Sequence, residues 1–156
     1  MALTPAEMNQ RTLQILLRQQ LLSPEAAEAV SELAIRRHIW VGQAAVEARH
    51  LTDSALAASL SAQFDLPLVE LEAHTPDSDT LACLPRDFCL RYQVVPFARE
   101  RGVLHLAVAN PLQDLRAEAL PHPRAFGIVL HLAPLRAVRQ AIERWYGMMG
   151  KRERGK

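Results

Sequence analysis

The chain has 156 residues, 49% of them hydrophobic, enough for one core or two small lobes sharing an interface and too many for a disordered segment. A formal charge of +1 gives no electrostatic footprint for a nucleic-acid polymer, and 5% aromatic residues are too few for a base-stacking platform. No run reaches the ~18 uninterrupted apolar residues of a membrane span; the opening MALTPAEMNQR lacks the charged and apolar regions of a signal peptide, so a cytoplasmic chain is expected.

From Gln10 to Leu22, Leu13, Leu16, Leu17 and Leu21 recur with a helical period. Ser23-Pro24-Glu25 restarts the chain as N-cap, first helical residue and first-turn acid. The helix that follows places Ala26, Val30, Leu33 and Ala34 inward and ends near Arg36-Arg37-His38, cations suited to a helix C-terminus. Ile39-Trp40-Val41-Gly42 breaks the pattern ahead of a short helix through Ala45 and Val46. Thr52-Asp53 then caps a helix carrying Leu56, Leu60 and Phe64. A fixed offset relates these helices. The shift that sets Leu22-Ser23 on Leu51-Thr52 also sets Leu17 on Val46, Ala26 on Ala55 and Leu13 on Gly42, the signature of a duplicated helix-turn-helix unit.

Past Phe64 the character changes. Leu66 to Leu71 is extended and apolar, and a polar loop runs from Glu72 to Ser78. A helix is expected from Asp79 to Tyr92, packing Leu81, Leu84, Phe88 and Tyr92, with Pro85 near its first turn. Val94, Val95 and Phe97 make a strand, Glu100-Arg101-Gly102 a three-residue hairpin loop with a bulge, and Val103 to Val108 an alternating second strand. Asn110-Pro111 opens a helix over Leu112–Leu120, which Pro121-His122-Pro123 stops. Ile128 to Leu132 is a third strand. Pro134 opens a last helix with Leu135, Val138, Ile142 and Trp145 on one face, and Lys151 to Lys156 is a frayed basic tail.

The fold class is therefore α+β. An N-terminal helical lobe of two helix-turn-helix repeats spans 1–64, a small three-stranded α/β lobe in the order β-β-α-β-α spans 65–150, and the basic tail spans 151–156.

No catalytic constellation emerges. Gly147-Met148-Met149-Gly150-Lys151 imitates a phosphate-binding loop, but Trp145 stands where the first glycine belongs and Arg152 follows the lysine. Cys83 and Cys89 lack the spacing and histidine companions of a zinc site and read as reduced thiols. His105 and His131 fall on the polar phase of their strands, as neighbours on a sheet surface with no third ligand by spacing. Glu70, Glu72, Asp77 and Asp79 read as a solvated loop.

Several local runs carry a family likeness. They are Leu51-Thr52 before a helix ending at Gln63, Leu66-Pro67-Leu68-Val69-Glu70-Leu71, Leu84-Pro85, Val95-Pro96-Phe97, Leu106-Ala107-Val108-Ala109-Asn110-Pro111 and the closing Trp145-Tyr146-Gly147. On these the chain resembles the N-terminal domain of type II secretion and type IV pilus assembly ATPases, called MshEN. The resemblance implies a domain that precedes a hexameric motor ATPase and links it to the cytoplasmic domain of an inner-membrane platform protein. It also implies a peripheral location reached through that partner, with no required cofactor. Some members bind cyclic di-GMP through two tandem motifs, set at the offset found here. Carried over position by position, that implies a ligand set of Arg11, Leu17, Leu21, Leu22, Gly42, Leu51, Leu56, Leu60 and Gln63.

The motifs are incomplete. Leu13 and Gln20 replace both glycines of the first copy, and Ala34 replaces its final glutamine. Trp40 replaces the arginine of the second copy, and Arg49 its second glycine. A side chain in place of glycine obstructs backbone approach, and each lost arginine removes a contact worth roughly 1.5–3 kcal/mol. The leading expectation is a non-catalytic interaction domain, and the alternative is a cyclic di-GMP receptor.

Overall fold

The computed structural model describes residues 3–113, 115 and 127–154. Helix α1 (Pro5–Arg18) opens ahead of the leucine stripe because Thr4 and Glu7 cap each other. Glu7 N–H donates to Thr4 Oγ1, and Thr4 N–H to Glu7 Oε1, both at 3.1 Å, with Pro5 at the first turn. Hydrogen bonding to Thr4 holds the Glu7 carboxyl below its ordinary pKa. Helices α2 (Pro24–Arg37) and α4 (Asp53–Phe64) start where their caps imply: the Ser23 and Thr52 hydroxyls accept from Ala26 and Ala55 N–H at 3.1 Å. Between them α3 (Val41–Glu47) begins directly after Trp40, earlier than its alanines suggest. In α2 the buried stripe is Ala27, Val30 and Ala34; Ala26 and Leu33 are half-buried, so the inward face is turned slightly from the expected one.

The two helical pairs close alike. At the end of α1, Leu21 N–H bonds Leu16 O at 2.9 Å and Gln20 N–H bonds Leu17 O at 3.0 Å. At the end of α3, His50 N–H bonds Ala45 O at 3.0 Å and Arg49 N–H bonds Val46 O at 3.1 Å. Both are Schellman closures, whose pivot is usually glycine. Here Gln20 and Arg49 take that left-handed pivot, at φ 58° and 64°. Burial repeats at the same offset: Thr12 with Val41, Leu16 with Ala45, Leu22 with Leu51, and Ala27 with Leu56 are all buried.

The Leu66–Leu71 segment stays extended and makes one parallel bridge, Leu68 to Leu132, before a 3-10 turn at Leu71–Ala73. Pro85 corrects the single helix expected from Asp79 to Tyr92. Its backbone is extended (ψ 150°), so the segment divides into α5 (Ser78–Leu81) and α6 (Arg86–Tyr92). Strands β1 (Val94–Glu100) and β2 (Val103–Val108) pair antiparallel through a two-residue turn, Arg101-Gly102, at φ 50° and 77°. Positive φ at both positions is a type I′ geometry, which replaces the expected three-residue loop. The bulge lies instead between Pro96 and Ala98.

Strand β3 (Gly127–Leu132) runs parallel to β2, giving the order β1-β2-β3. The helix expected over Leu112–Leu120 and its stop at Pro121-His122-Pro123 lie outside the described residues, apart from the first few, which form a turn after the Asn110 side chain accepts from Leu112 N–H at 3.1 Å. Helix α7 (Leu135–Arg154) buries Leu135, Val138, Ala141, Ile142, Trp145 and Tyr146 and packs on β1, β2 and α4–α6. Its backbone stays helical through Lys151–Arg154, where a frayed tail was the expectation. A single apolar core joins the helical pairs to the sheet and α7.

Candidate functional site

The nine residues of the expected ligand set divide by exposure. Leu22, Gly42, Leu51, Leu56 and Leu60 are buried in the core between the helical pairs, where they hold the lobe together. Arg11, Leu17 and Gln63 are exposed, and Leu21 is half-buried at the α1–α2 turn. Of the nine, Leu51 alone lines the cleft described below.

Trp40, in the place of the family's second arginine, is a pin between α1 and α3. Its Nε1–H donates to Thr12 Oγ1 at 3.0 Å, and Thr12 donates onward to Met8 O at 2.8 Å. Beside it Val41 N–H donates to Asn9 Oδ1 at 2.9 Å, which supplies the N-terminus of α3 with an acceptor that Trp40 cannot provide. The indole lies flat over Gly42. A Cβ there would stand 2.7 Å from Trp40 Cη2 and Cζ2. The second motif's first glycine thus serves indole packing in this chain. Of the three other glycine positions, Leu13 is half-buried within α1, while Gln20 and Arg49 are exposed side chains on left-handed turns, and neighbouring Gln19 Oε1 accepts from Ser59 Oγ at 2.6 Å.

Arg49 borders a cleft of about 1000 Å³ between the α3–α4 turn and the start of α7. Asp53 organises it. Its two carboxylate oxygens accept from Leu135 N–H at 2.9 Å and Arg136 N–H at 2.8 Å, so an acid on the first turn of α4 also caps α7. Arg136 and Arg139 face the cleft with Arg49, and Glu47, in an ion pair with Arg37, is on its wall. The sequence carried one signal of this clamp: Ala133-Pro134 opens a long helix without a capping side chain of its own, so the acceptor had to come from elsewhere.

The histidine pair is real. His105 Nδ1 lies 3.1 Å from His131 Nε2, one ring donating and the other accepting, and Phe97 meets the edges of His131 and His74 at 4.8 Å. Burial, then the neighbouring His105 and His74, push the His131 pKa down. Among the described residues no group of three or more His, Cys, Asp or Glu is placed to hold a metal ion. Both cysteines are free and buried. Cys89 donates to Tyr146 Oη at 3.4 Å, and the Tyr146 hydroxyl faces Leu84 O at 2.7 Å and Leu81 O at 3.0 Å, tying α7 to the α5–α6 junction. Burial raises the Cys89 thiol to about 11 and moves the Tyr146 phenol up as well. No helix among the described residues is long and apolar enough to cross a membrane.

Comparison with known proteins places this geometry. Residues 64–152 match the MshEN domain model. The chain is 25% identical over 143 residues to the type IV pilus assembly ATPase PilB of Myxococcus xanthus, and 31% identical over 107 residues to PilB of Thermus thermophilus. These alignments cover 92% and 65% of the chain but only 25% and 12% of the two ATPases, so the chain spans a minor part of either relative. In three dimensions it is similar to the N-terminal domain of XpsE (TM-score 0.70, 18% identity, 88% of this chain and 95% of that one). It is also similar to MshE in a structure with cdg (TM-score 0.65, 21% identity, 86% and 98%).

Proposed function

Because the chain belongs to the MshEN domain family, we propose that it is a non-catalytic regulatory and docking domain of a type II secretion or type IV pilus assembly ATPase. It acts in the cytoplasm and holds its motor to the cytoplasmic domain of an inner-membrane platform protein. One observation carries this reading. The helical lobe keeps the duplicated architecture, with matched caps, matched Schellman closures and matched buried positions, while the places that would admit a ligand to backbone hold Gln20, Arg49 and the Trp40 indole. A scaffold retained with three of its four motif glycines replaced and the fourth, Gly42, covered by an indole serves protein contact better than nucleotide capture.

A second reading has its own support. MshE has been solved with cdg (cyclic di-GMP), and Arg11 and Leu17 on α1 and Gln63 on α4 are exposed in this chain. In that reading the domain is a cyclic di-GMP receptor and needs no other cofactor. Calorimetric titration with cyclic di-GMP separates the two. The docking reading predicts no saturable heat at tens of micromolar protein; saturable heat that disappears in Arg11→Ala establishes the receptor instead.

A further inference from the structure

A groove of about 810 Å³ opens where the first turns of α1, the end of α2 and the corner between α6 and β1 meet. One wall is apolar, built from Met8, Ile35, Ile39 and Trp40. Ile35 is 69% exposed, the highest value for a large hydrophobic side chain among the described residues. Alone such a residue would be ordinary, but Ile35 is continuous with Met8, Ile39 and Trp40 on one concave wall, and contiguous apolar surface of this kind marks a contact face.

The charge on this groove is one-sided. Among the described residues that line it, Arg91 and Arg139 carry charge and none is Asp or Glu. In a chain whose 17 acids and 18 Lys and Arg nearly balance, these two arginines leave the described wall net positive. Both arginines are positioned by neighbours: the Arg91 guanidinium lies over the Tyr92 ring at 5.3 Å, and Arg139 Nε donates to Gln93 Oε1 at 3.3 Å. An apolar floor with cationic sides is complementary to a segment that presents the reverse pattern.

We infer that this groove is a docking surface for an acidic amphipathic segment of a partner protein, its apolar anchor set against Ile35 and Trp40 and its carboxylates against Arg91 and Arg139. The inference rests on the docking reading above and narrows it to one face and one partner chemistry. More of the groove's exposed surface is apolar than polar, which favours an amphipathic peptide over a nucleotide.

Selection of a random peptide display library on the full chain tests it. The enriched peptides carry net negative charge around an aliphatic or aromatic residue. Their binding weakens at least about tenfold in Ile35→Glu and in Arg91→Glu, and holds in Arg101→Glu at the far tip of the hairpin. All three side chains are exposed, so the variants keep the folded core; because Arg91→Glu also loses the Tyr92 contact and sets an acid on the last turn of α6, Arg91→Gln stands beside it and weakens binding in the same direction. Neutral or basic winners, or binding indifferent to Ile35→Glu and Arg91→Glu, overturn the proposal. So does the groove taking cyclic di-GMP or phosphatidylglycerol vesicles in place of the peptides, with the same two substitutions abolishing that binding. The selection needs no platform protein, so its failure is distinct from failure of docking. A platform domain that binds parent, Ile35→Glu and Arg91→Glu equally sinks the groove and leaves docking standing.

Discussion

Single residues show where local chemistry was readable and where it was not. Gly42 stands on a motif position that suggests a ligand, yet its missing side chain is explained by the Trp40 indole. Gly42→Ala gains up to ~1 kcal/mol of helix propensity. Against that, a Cβ at 2.7 Å from a ring held by Thr12 is an overpacking cost of about 1–3 kcal/mol. The clash wins, and urea denaturation should show a net loss together with a changed Trp40 emission; an Ala variant as stable as the parent would show that the ring moves freely. His131 carries a pH prediction. Its pKa is lowered in the folded chain, so below about pH 6.5 the unfolded chain binds the extra proton and stability falls as pH drops. Denaturation midpoints at pH 7.5 and 5.5 should differ less in His131→Leu than in the parent. An unchanged difference would mean that the pair titrates independently of folding. The alternation of strands β2 and β3 made the histidines' proximity legible; the packing of Phe97 on His131 and on His74 was not, because Phe97 lies at the bulge between Pro96 and Ala98.

At the scale of elements, caps were the most legible signals and long-range partners the least. Ser23 and Thr52 cap their helices as local sequence dictates, since a hydroxyl three residues ahead of an amide needs no tertiary context. Thr4-Pro5-Ala6-Glu7 carried the same kind of information for α1, outweighed in reading by the louder leucine stripe further on. The break at Pro85 and the two-residue hairpin turn replace the expected single helix and three-residue loop, because one proline or glycine fits more than one geometry. The clamp from α4 to α7 is different in kind. Asp53 meets Leu135 and Arg136 across more than half the chain, and no local pattern encodes that pairing. Asp53→Ala removes two charge-assisted bonds and leaves the α7 terminus without acceptors, a cost of about 1–2 kcal/mol. Asp53→Asn, which keeps one acceptor oxygen, should lie between the two in chemical denaturation. If Asp53→Ala stays within a few tenths of a kcal/mol of the parent, the clamp contributes orientation without stability.

For the whole molecule, the α+β class and the run of helices before strands followed from periodicity alone, because an amphipathic face of either kind must be buried somewhere. The continuity of the core was not readable. Leu16, Leu60, Leu106 and Ile142 belong to separate segments, and only their assembly makes one apolar interior spanning the helical pairs and the sheet. For the candidate site the sequence offered positions without their exposure: of the nine residues named through the family motif, five are buried, Leu21 is half-buried, and Arg11, Leu17 and Gln63 are exposed. The proposed docking role asks for a surface held by this packed core without a ligand. The direct measurement is titration of the chain into the purified cytoplasmic domain of the cognate platform protein, with and without cyclic di-GMP. The account predicts a saturable one-to-one complex, equally tight in both conditions. No complex at tens of micromolar, or one that forms only when the dinucleotide is present, would contradict it.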